Sequence, residues 1–269
     1  YGIEVSSVMD AHFDPALQNV QLESLMIQKP DGVIAIPADD KKTSEMFMEL
    51  SRVSKLVFIS NLPENVTKNH YVSCISVNEW ENGTNAGRML GEYFRSKKPG
   101  KKIKAGFLNH GAIFYGTRER DMAAEKILKE EYPDIEIVTV RNFVQIDNAY
   151  RVCMEMLEAY PELEALYVSW DRPALLAIKA LKEVHREDIC VFTTDLDREI
   201  AKYMEEGIVK GMSTQRPYEQ GRAAALALAK SFVSDMIPNY VGVQPCAVEP
   251  EQLKRAWKEI FHEPMSVNN

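Results

Sequence analysis

The chain has 269 residues, 45% of them hydrophobic and 27% charged, with a formal net charge of −8. That is enough apolar chain for one large domain or two lobes, and it excludes disordered and fibrous classes. No window approaches the roughly 20 apolar residues of a membrane-spanning helix, and the acidic balance argues against nucleic acid or an anionic bilayer as the main partner.

Short β-branched or apolar runs alternate with amphipathic segments for nearly the whole length, the pattern of parallel sheets covered by helices. In chain order the strands are predicted at Ile3 to Met9, Gly32 to Ile36, Leu56 to Ser60, Tyr71 to Val77, Ile103 to Leu108, Ile135 to Val140, Ala165 to Val168, Ile189 to Thr194, Ile208 to Ser213 and Tyr240 to Val248. Helices fill the gaps. Asp14-Pro15 supplies a capping carboxylate before a proline at the first helical position, and Asn78 caps the helix through Met89 and Leu90. Pro217 opens a helix whose alanines, Ala223 to Ala229, are small enough to pack closely on a sheet. Ten strands fit two sheets better than an eight-fold barrel, although a barrel with an added hairpin stays open. No Pro/Gly/Ser linker divides the sequence, so two lobes would be joined through single strands or short turns as a hinged pair.

Three predicted strands end in the same manner. Tyr167-Val-Ser-Trp-Asp-Arg-Pro-Ala174 closes a strand on Trp170 and Asp171 just before a helix, Val191-Phe-Thr-Thr-Asp195 ends on Asp195, and Gly211-Met-Ser-Thr-Gln215 ends on Gln215. The carboxyl edge of a parallel sheet is where such folds bind small ligands, so the three ends point to one shared pocket. Each residue also has a structural reading: Trp170 as a core indole, Asp171 as a helix cap, Asp195 and Gln215 as turn or cap residues. Gly111-Ala-Ile-Phe-Tyr-Gly116-Thr-Arg118 has the glycine spacing of a phosphate loop but lacks its lysine, so the glycines are read as a turn that aims Arg118 over the strand edge as a ligand-facing cation. Carboxylate, carboxamide, guanidinium and indole together suit a sugar, whose hydroxyls both donate and accept while its C–H patch stacks on an aromatic face.

The remaining chemistry is sparse. His12, His70, His110, His185 and His262 show no metal-ligand spacing and are read as solvated or loop residues. Cys74, Cys153, Cys190 and Cys246 lie far apart and read as buried free thiols rather than a metal site or disulfide framework. No nucleophile elbow or dinucleotide fingerprint is present, so the reading is a non-enzyme without cofactor or metal.

In that order and at those separations, Lys29-Pro-Asp-Gly-Val-Ile-Ala-Ile-Pro-Ala-Asp39, Gly116-Thr-Arg-Glu-Arg120, Trp170-Asp171, Thr194-Asp-Leu-Asp197 and Thr214-Gln-Arg-Pro-Tyr-Glu-Gln-Gly221 resemble the type 1 periplasmic sugar-binding proteins of ABC importers, the ribose-binding-protein group. The ending Val248 to Trp257 resembles the closing strand and helix of the same proteins. The resemblance implies two doubly wound α/β lobes joined by a three-crossing hinge near Asn78, Arg216 and Pro245, with residues 1–78 and 216–245 in one lobe and 79–215 and 246–269 in the other. It implies a ligand shell of Arg118, Trp170, Asp171, Asp195, Gln215 and Gln145, with Ser60 and Asn61 standing where the family carries an Asp-Arg pair. It further implies that the chain begins at the family's second strand, one half-unit short. The expected function is extracytoplasmic capture of a monosaccharide or polyol by a monomer that serves a membrane permease. The alternative from another class is the effector domain of a LacI-type repressor, which shares the fold.

Overall fold

The computed structural model describes residues 3–111, 115–234 and 236–265. The chain divides into two compact units, Tyr1–Val77 with Pro217–Val243, and Asn78–Arg216 with Gln244–Asn269.

In the first unit β1 (Gly32–Ala35), β2 (Lys55–Ile59), β3 (Ser73–Val77) and β9 (Tyr240–Val243) form a four-stranded sheet in that order, every pair parallel. Side chains alternate across a strand, and this sheet is covered on both faces, so β2 reads as a continuous apolar run. Leu56 and Phe58 pack with Leu22 of α1 (Pro15–Gln28) and with Phe47 and Leu50 of α2 (Ser44–Leu50). Val57 and Ile75 face Ala224, Ala227 and Leu228 of α8 (Pro217–Ser231), the alanine-rich helix. Asp14 caps α1 as its sequence predicts, accepting from the amides of Ala16 at 2.8 Å and Leu17 at 3.3 Å.

The predicted strand Ile3 to Met9 does not form. Those residues join no ladder, and Val5 and Val8 are 75% and 91% exposed. A strand exists only through hydrogen-bonded neighbours, and the space between this segment and β1 is a cavity of about 550 Å³ lined by Val5, Met9, Leu22, Val33 and Phe47. The predicted run Tyr240 to Val248 is likewise two strands, because Pro245 has no N–H for a ladder. Its first part, β9, belongs to the first sheet and its second, β10 (Cys246–Val248), to the other.

In the second unit the order is β10, β8 (Val209–Thr214), β7 (Cys190–Thr194), β6 (Ala165–Val168), β4 (Ile103–His110) and β5 (Ile135–Phe143), with β10 antiparallel to β8 and the rest parallel. One face carries α3 (Glu79–Lys97) and α4 (Tyr115–Glu131), which bury Phe107, Tyr167 and Phe192. The other carries α5 (Asn148–Ala159), α6 (Asp171–Glu183), α7 (Arg198–Glu205) and α9 (Leu253–Phe261), over Leu108, Leu166, Val168 and Val191. All four cysteines are free thiols: Cys74, Cys153 and Cys190 are buried and Cys246 is half-buried. Burial pushes Cys74 up to about 11 and Cys153 up to about 12, so both stay protonated and act as small apolar groups. Among the described residues no helix is long and apolar enough to cross a membrane.

Candidate functional site

Because β8, β7, β6, β4 and β5 are parallel neighbours, the residues that follow them emerge along one carboxyl edge of the second unit. Gln215 follows β8, Asp195 follows β7, Ser169, Trp170 and Asp171 follow β6, His110 ends β4, and Gln145 lies two residues past β5.

Asp195 turns the chain out of β7 in the left-handed region, φ 65°, which a short polar side chain tolerates. Its amide donates to the Ser213 carbonyl at 2.8 Å. Gln215 Nε2 donates to its Oδ1 at 3.0 Å, and an arginine Nη1 meets its Oδ2 at 2.9 Å. That arginine is Arg120, not Arg118. Arg118 is exposed on α4, its guanidinium 5.9 Å from the Tyr115 ring centre. The helix phase gives the reason: Arg120 shares the buried face with Ala123, Ala124, Ile127 and Leu128, at steps of three and four, while a residue two positions away points elsewhere. The signal for Arg120 was therefore present in the sequence. Of the glycine turn before α4, residues 112–114 lie outside the described residues.

Arg120 is 3% exposed. Its Nε and Nη2 donate to Glu79 Oε2 at 2.8 Å and Oε1 at 3.0 Å, and its Nη1 also reaches Thr194 Oγ1 at 2.6 Å and the Ser169 carbonyl at 3.2 Å. Burial alone would lower its pKa, but Asp195 and Glu79 outweigh that and hold it well above the ordinary arginine value.

Trp170 satisfies part of each reading. Its ring packs on the core beside Phe143, centre to centre 5.3 Å, and edge-on to His110 at 4.9 Å, yet it stays half-buried at the sheet edge. Asp171 is not the helix cap. Trp170 occupies the cap position without a side-chain bond, and Asp171 is the first helical residue, its Oδ1 accepting from the Arg172 amide at 2.7 Å. Burial, then the charges of Asp195 and Asp197, push the Asp171 carboxyl up to about 6.

His110, read from sequence as a solvated or loop residue, is half-buried at the end of β4. Its amide donates to Asp121 Oδ2 at 3.1 Å and Ser169 Oγ at 3.0 Å, its Nδ1 lies 3.0 Å from Thr117 Oγ1, and burial lowers its pKa. Asp121, also missed, is buried beneath the strand ends. Burial raises its pKa to about 6 although the Ser169 and Tyr167 hydroxyls both donate to it. The signal that could have found it is the same helical phase: Asp121 shares the buried face with Ala124 and Leu128, three and seven residues on. Gln145 is exposed, its carbonyl accepting from the Asn148 amide at 2.9 Å.

Ser60 and Asn61 belong to the first unit, directly past β2. Ser60 turns in the left-handed region, φ 71°, its amide donating to the Ile75 carbonyl at 2.9 Å, and the Asn61 amide donates to the Ile59 carbonyl at 3.0 Å. They occupy the carboxyl edge of their own sheet, the corresponding position to the other candidates in theirs. Among the described residues no group of three or more His, Cys, Asp or Glu side chains could hold a metal.

Two largely parallel sheets, each wound with helices on both faces and each presenting polar residues at its carboxyl edge, define the class of protein as a two-unit α/β protein of the doubly wound type. The chain belongs to the periplasmic binding protein domain family, whose model matches residues 1–232. It is 22% identical over 214 residues to the ribose import binding protein RbsB of Escherichia coli (strain K12), covering 80% of this chain and 70% of that one. Among solved structures, a carbohydrate transporter solute-binding protein of Agrobacterium radiobacter in complex with D-arabinose superposes with a TM-score of 0.80 at 18% identity, over 93% of this chain and 85% of its own. A periplasmic solute-binding protein of Actinobacillus succinogenes 130z with bound D-allose gives 0.78 at 21%, over 89% and 85%. These likenesses bear out the fold read from the sequence.

Proposed function

We propose that this protein captures a monosaccharide or polyol outside the cytoplasm and presents it to the permease of an ABC importer, acting as a monomer and without chemistry of its own. The observation that carries this reading is the Asp195 carboxylate. Its two oxygens are held by Arg120 and Gln215, its side chain keeps 22% of its surface exposed, and the Trp170 indole stands one strand away on the same edge. A fixed acceptor beside an aromatic face is what a sugar hydroxyl and its C–H patch require. Family membership and the sugar-bound relatives support importer capture over a repressor's effector domain.

Arg118, Trp170, Asp171, Asp195, Gln215 and Gln145 form the proposed ligand shell on the second unit, with Ser60 and Asn61 on the first. Arg118 is exposed, its guanidinium 5.9 Å from the Tyr115 ring centre, which suits a cation that meets the ligand. Calorimetric titration against a panel of aldoses, ketoses and polyols tests the reading. The expected outcome is one or a few tight ligands, with Asp195→Ala and Arg118→Ala each losing about 2–3 kcal/mol of affinity as a polar partner is removed. No binding by any panel member, or unchanged affinity in both variants, would overturn it.

A further inference from the structure

The ladder between β4 and β6 ends where Leu108 faces Val168, with one further bond from the Ser169 amide to the Leu108 carbonyl at 3.3 Å. Past that point the two strand ends are joined through side chains. The His110 amide donates to Ser169 Oγ at 3.0 Å and to Asp121 Oδ2 at 3.1 Å, and Ser169 Oγ donates to the two Asp121 oxygens at 2.7 and 2.6 Å. The Tyr167 hydroxyl, from within β6, donates to Asp121 Oδ1 at 2.9 Å. Asp121 is buried, as are Ser169 and Tyr167, so a broken bond here gains no solvent partner in exchange. Against this knot stands the aromatic wall of the sheet edge. His110 stacks on Phe143 with ring centres 5.5 Å apart, and the Trp170 indole, one residue past Ser169, meets those two rings at 4.9 and 5.3 Å. The His110 ring is further held by Thr117 Oγ1 and by the Val144 backbone.

Three donors therefore converge on two oxygens. An ionised carboxyl accepts from all of them, whereas a protonated one carries a hydrogen of its own, so one donor must reverse or go without a partner. The charged and titratable groups around Asp121 are Arg120 beside it on α4, Glu79 of α3, the Tyr167 phenol of β6, the His110 imidazole of β4 and Asp195 after β7. Arg120 is paired with Glu79 and Asp195, and the donors to Asp121 are two hydroxyls and an amide. We propose that Asp121 is a positioning residue for the aromatic wall: its carboxylate ties the ends of β4 and β6 beside His110 and Trp170, and its protonation slackens that tie, so that ligand capture weakens in acid. The inference rests on the sugar-capture reading for its ligand and on the hydrogen-bond geometry for its positioning.

Burial holds the folded carboxyl up at about 6, so the ionised form is nearly complete at pH 7.5 and falls to about a tenth at pH 5. Affinity that depends on that form drops about tenfold over the same range. Asp121→Asn carries the donor and acceptor groups of the protonated acid and does not titrate. Calorimetric titration with the panel sugar should find this variant about tenfold weaker than wild type at pH 7.5 and equal to it at pH 5. Asp171 titrates in both proteins and cancels in their ratio. A ratio that stays constant with pH, or equal affinity at pH 7.5, overturns the proposal. The ligand-free readout is the Trp170 indole signal in nitrogen–proton NMR, expected to be displaced in the variant at pH 7.5 and coincident with wild type at pH 5. Coincident signals at pH 7.5 overturn the positioning of the wall while leaving sugar capture intact. A wild type that binds no sugar sinks the capture reading, and the indole signal still decides the positioning. Should Asp121→Asn not fold, Ser169→Ala removes one donor from the carboxylate and so raises its pKa. The fall in affinity should then begin at higher pH than in wild type, and an unmoved profile overturns the role.

Discussion

Asp171 shows how one carboxyl at the sheet edge feels the rest of the site. In the folded protein it is pushed from an ordinary 3.8 up to about 6, first by burial and then by the charges of Asp195 and Asp197, against the Arg172 amide and charge that favour ionisation. Between those values the native state holds a proton that the unfolded chain has released, so native stability falls as pH rises from about 4 to about 6 and stays at the lower level above. Asp171→Asn keeps the acceptor for the Arg172 amide and removes the titration. Its stability relative to wild type should therefore climb across that window and level off at about 1–2 kcal/mol, a discount on roughly 1.4 kcal/mol per pH step for the remaining solvent contact. Asp121 is pushed up to about 6 as well, but it titrates in both proteins and cancels in the difference. Denaturant melts at pH 4, 5, 6 and 7 check this, and a pH-independent difference would refute it. At this scale the sequence was readable where a residue ends a strand, as Asp195, Gln215 and Trp170 do. It is less direct where partners come from another element: the arginine that meets Asp195 is Arg120, whose helical phase aligns with Ala123, Ala124 and Ile127, while Arg118 two residues before it stays exposed.

Arg120 can reach both Glu79 and Asp195 only because α3 and α4 touch backbone to backbone, and glycines permit that contact. A Cβ at Gly83 would sit 1.9 Å from the Arg120 carbonyl oxygen, and one at Gly87 2.7 Å from the Ala124 carbonyl oxygen and 2.5 Å from Ile127 Cγ2. At Gly91 the three atoms nearest the Cβ all belong to the Tyr132 ring, Cδ1 at 2.3 Å, and a side chain can turn where a backbone cannot. Gly83→Ala should therefore cost about 3 kcal/mol or more of stability and weaken sugar binding by moving Arg120, whereas Gly91→Ala should cost about 1–2 kcal/mol and leave affinity unchanged. Equal costs at the two positions, measured by chemical denaturation and calorimetry, would contradict the backbone contact. Elements with their own pairing partners were legible in the sequence: β2 and β6 as short apolar runs, α1 from Asp14-Pro15, and the alanine-rich α8 from its small side chains on the sheet. Ile3 to Met9 has the same apolar alternation and forms no strand, because a ladder depends on a neighbour that local pattern does not report.

At the scale of the whole molecule, the chain passes between the two units after Val77, Arg216 and Val243, and each unit keeps its own sheet and its own apolar core. Among the described residues each buried apolar cluster draws on one unit alone, so each unit carries its own stability. On the proposed reading, Asp195 of the second unit and Ser60 and Asn61 of the first each contribute to ligand affinity, and removing one unit's residues costs only their share. Calorimetric titration should accordingly show that the pair Ser60→Ala with Asn61→Ala keeps weakened binding of the panel sugar, because the residues of the second unit are untouched. Full affinity in that pair would mean that the second unit alone holds the ligand, and the contribution of Ser60 and Asn61 would have to be abandoned.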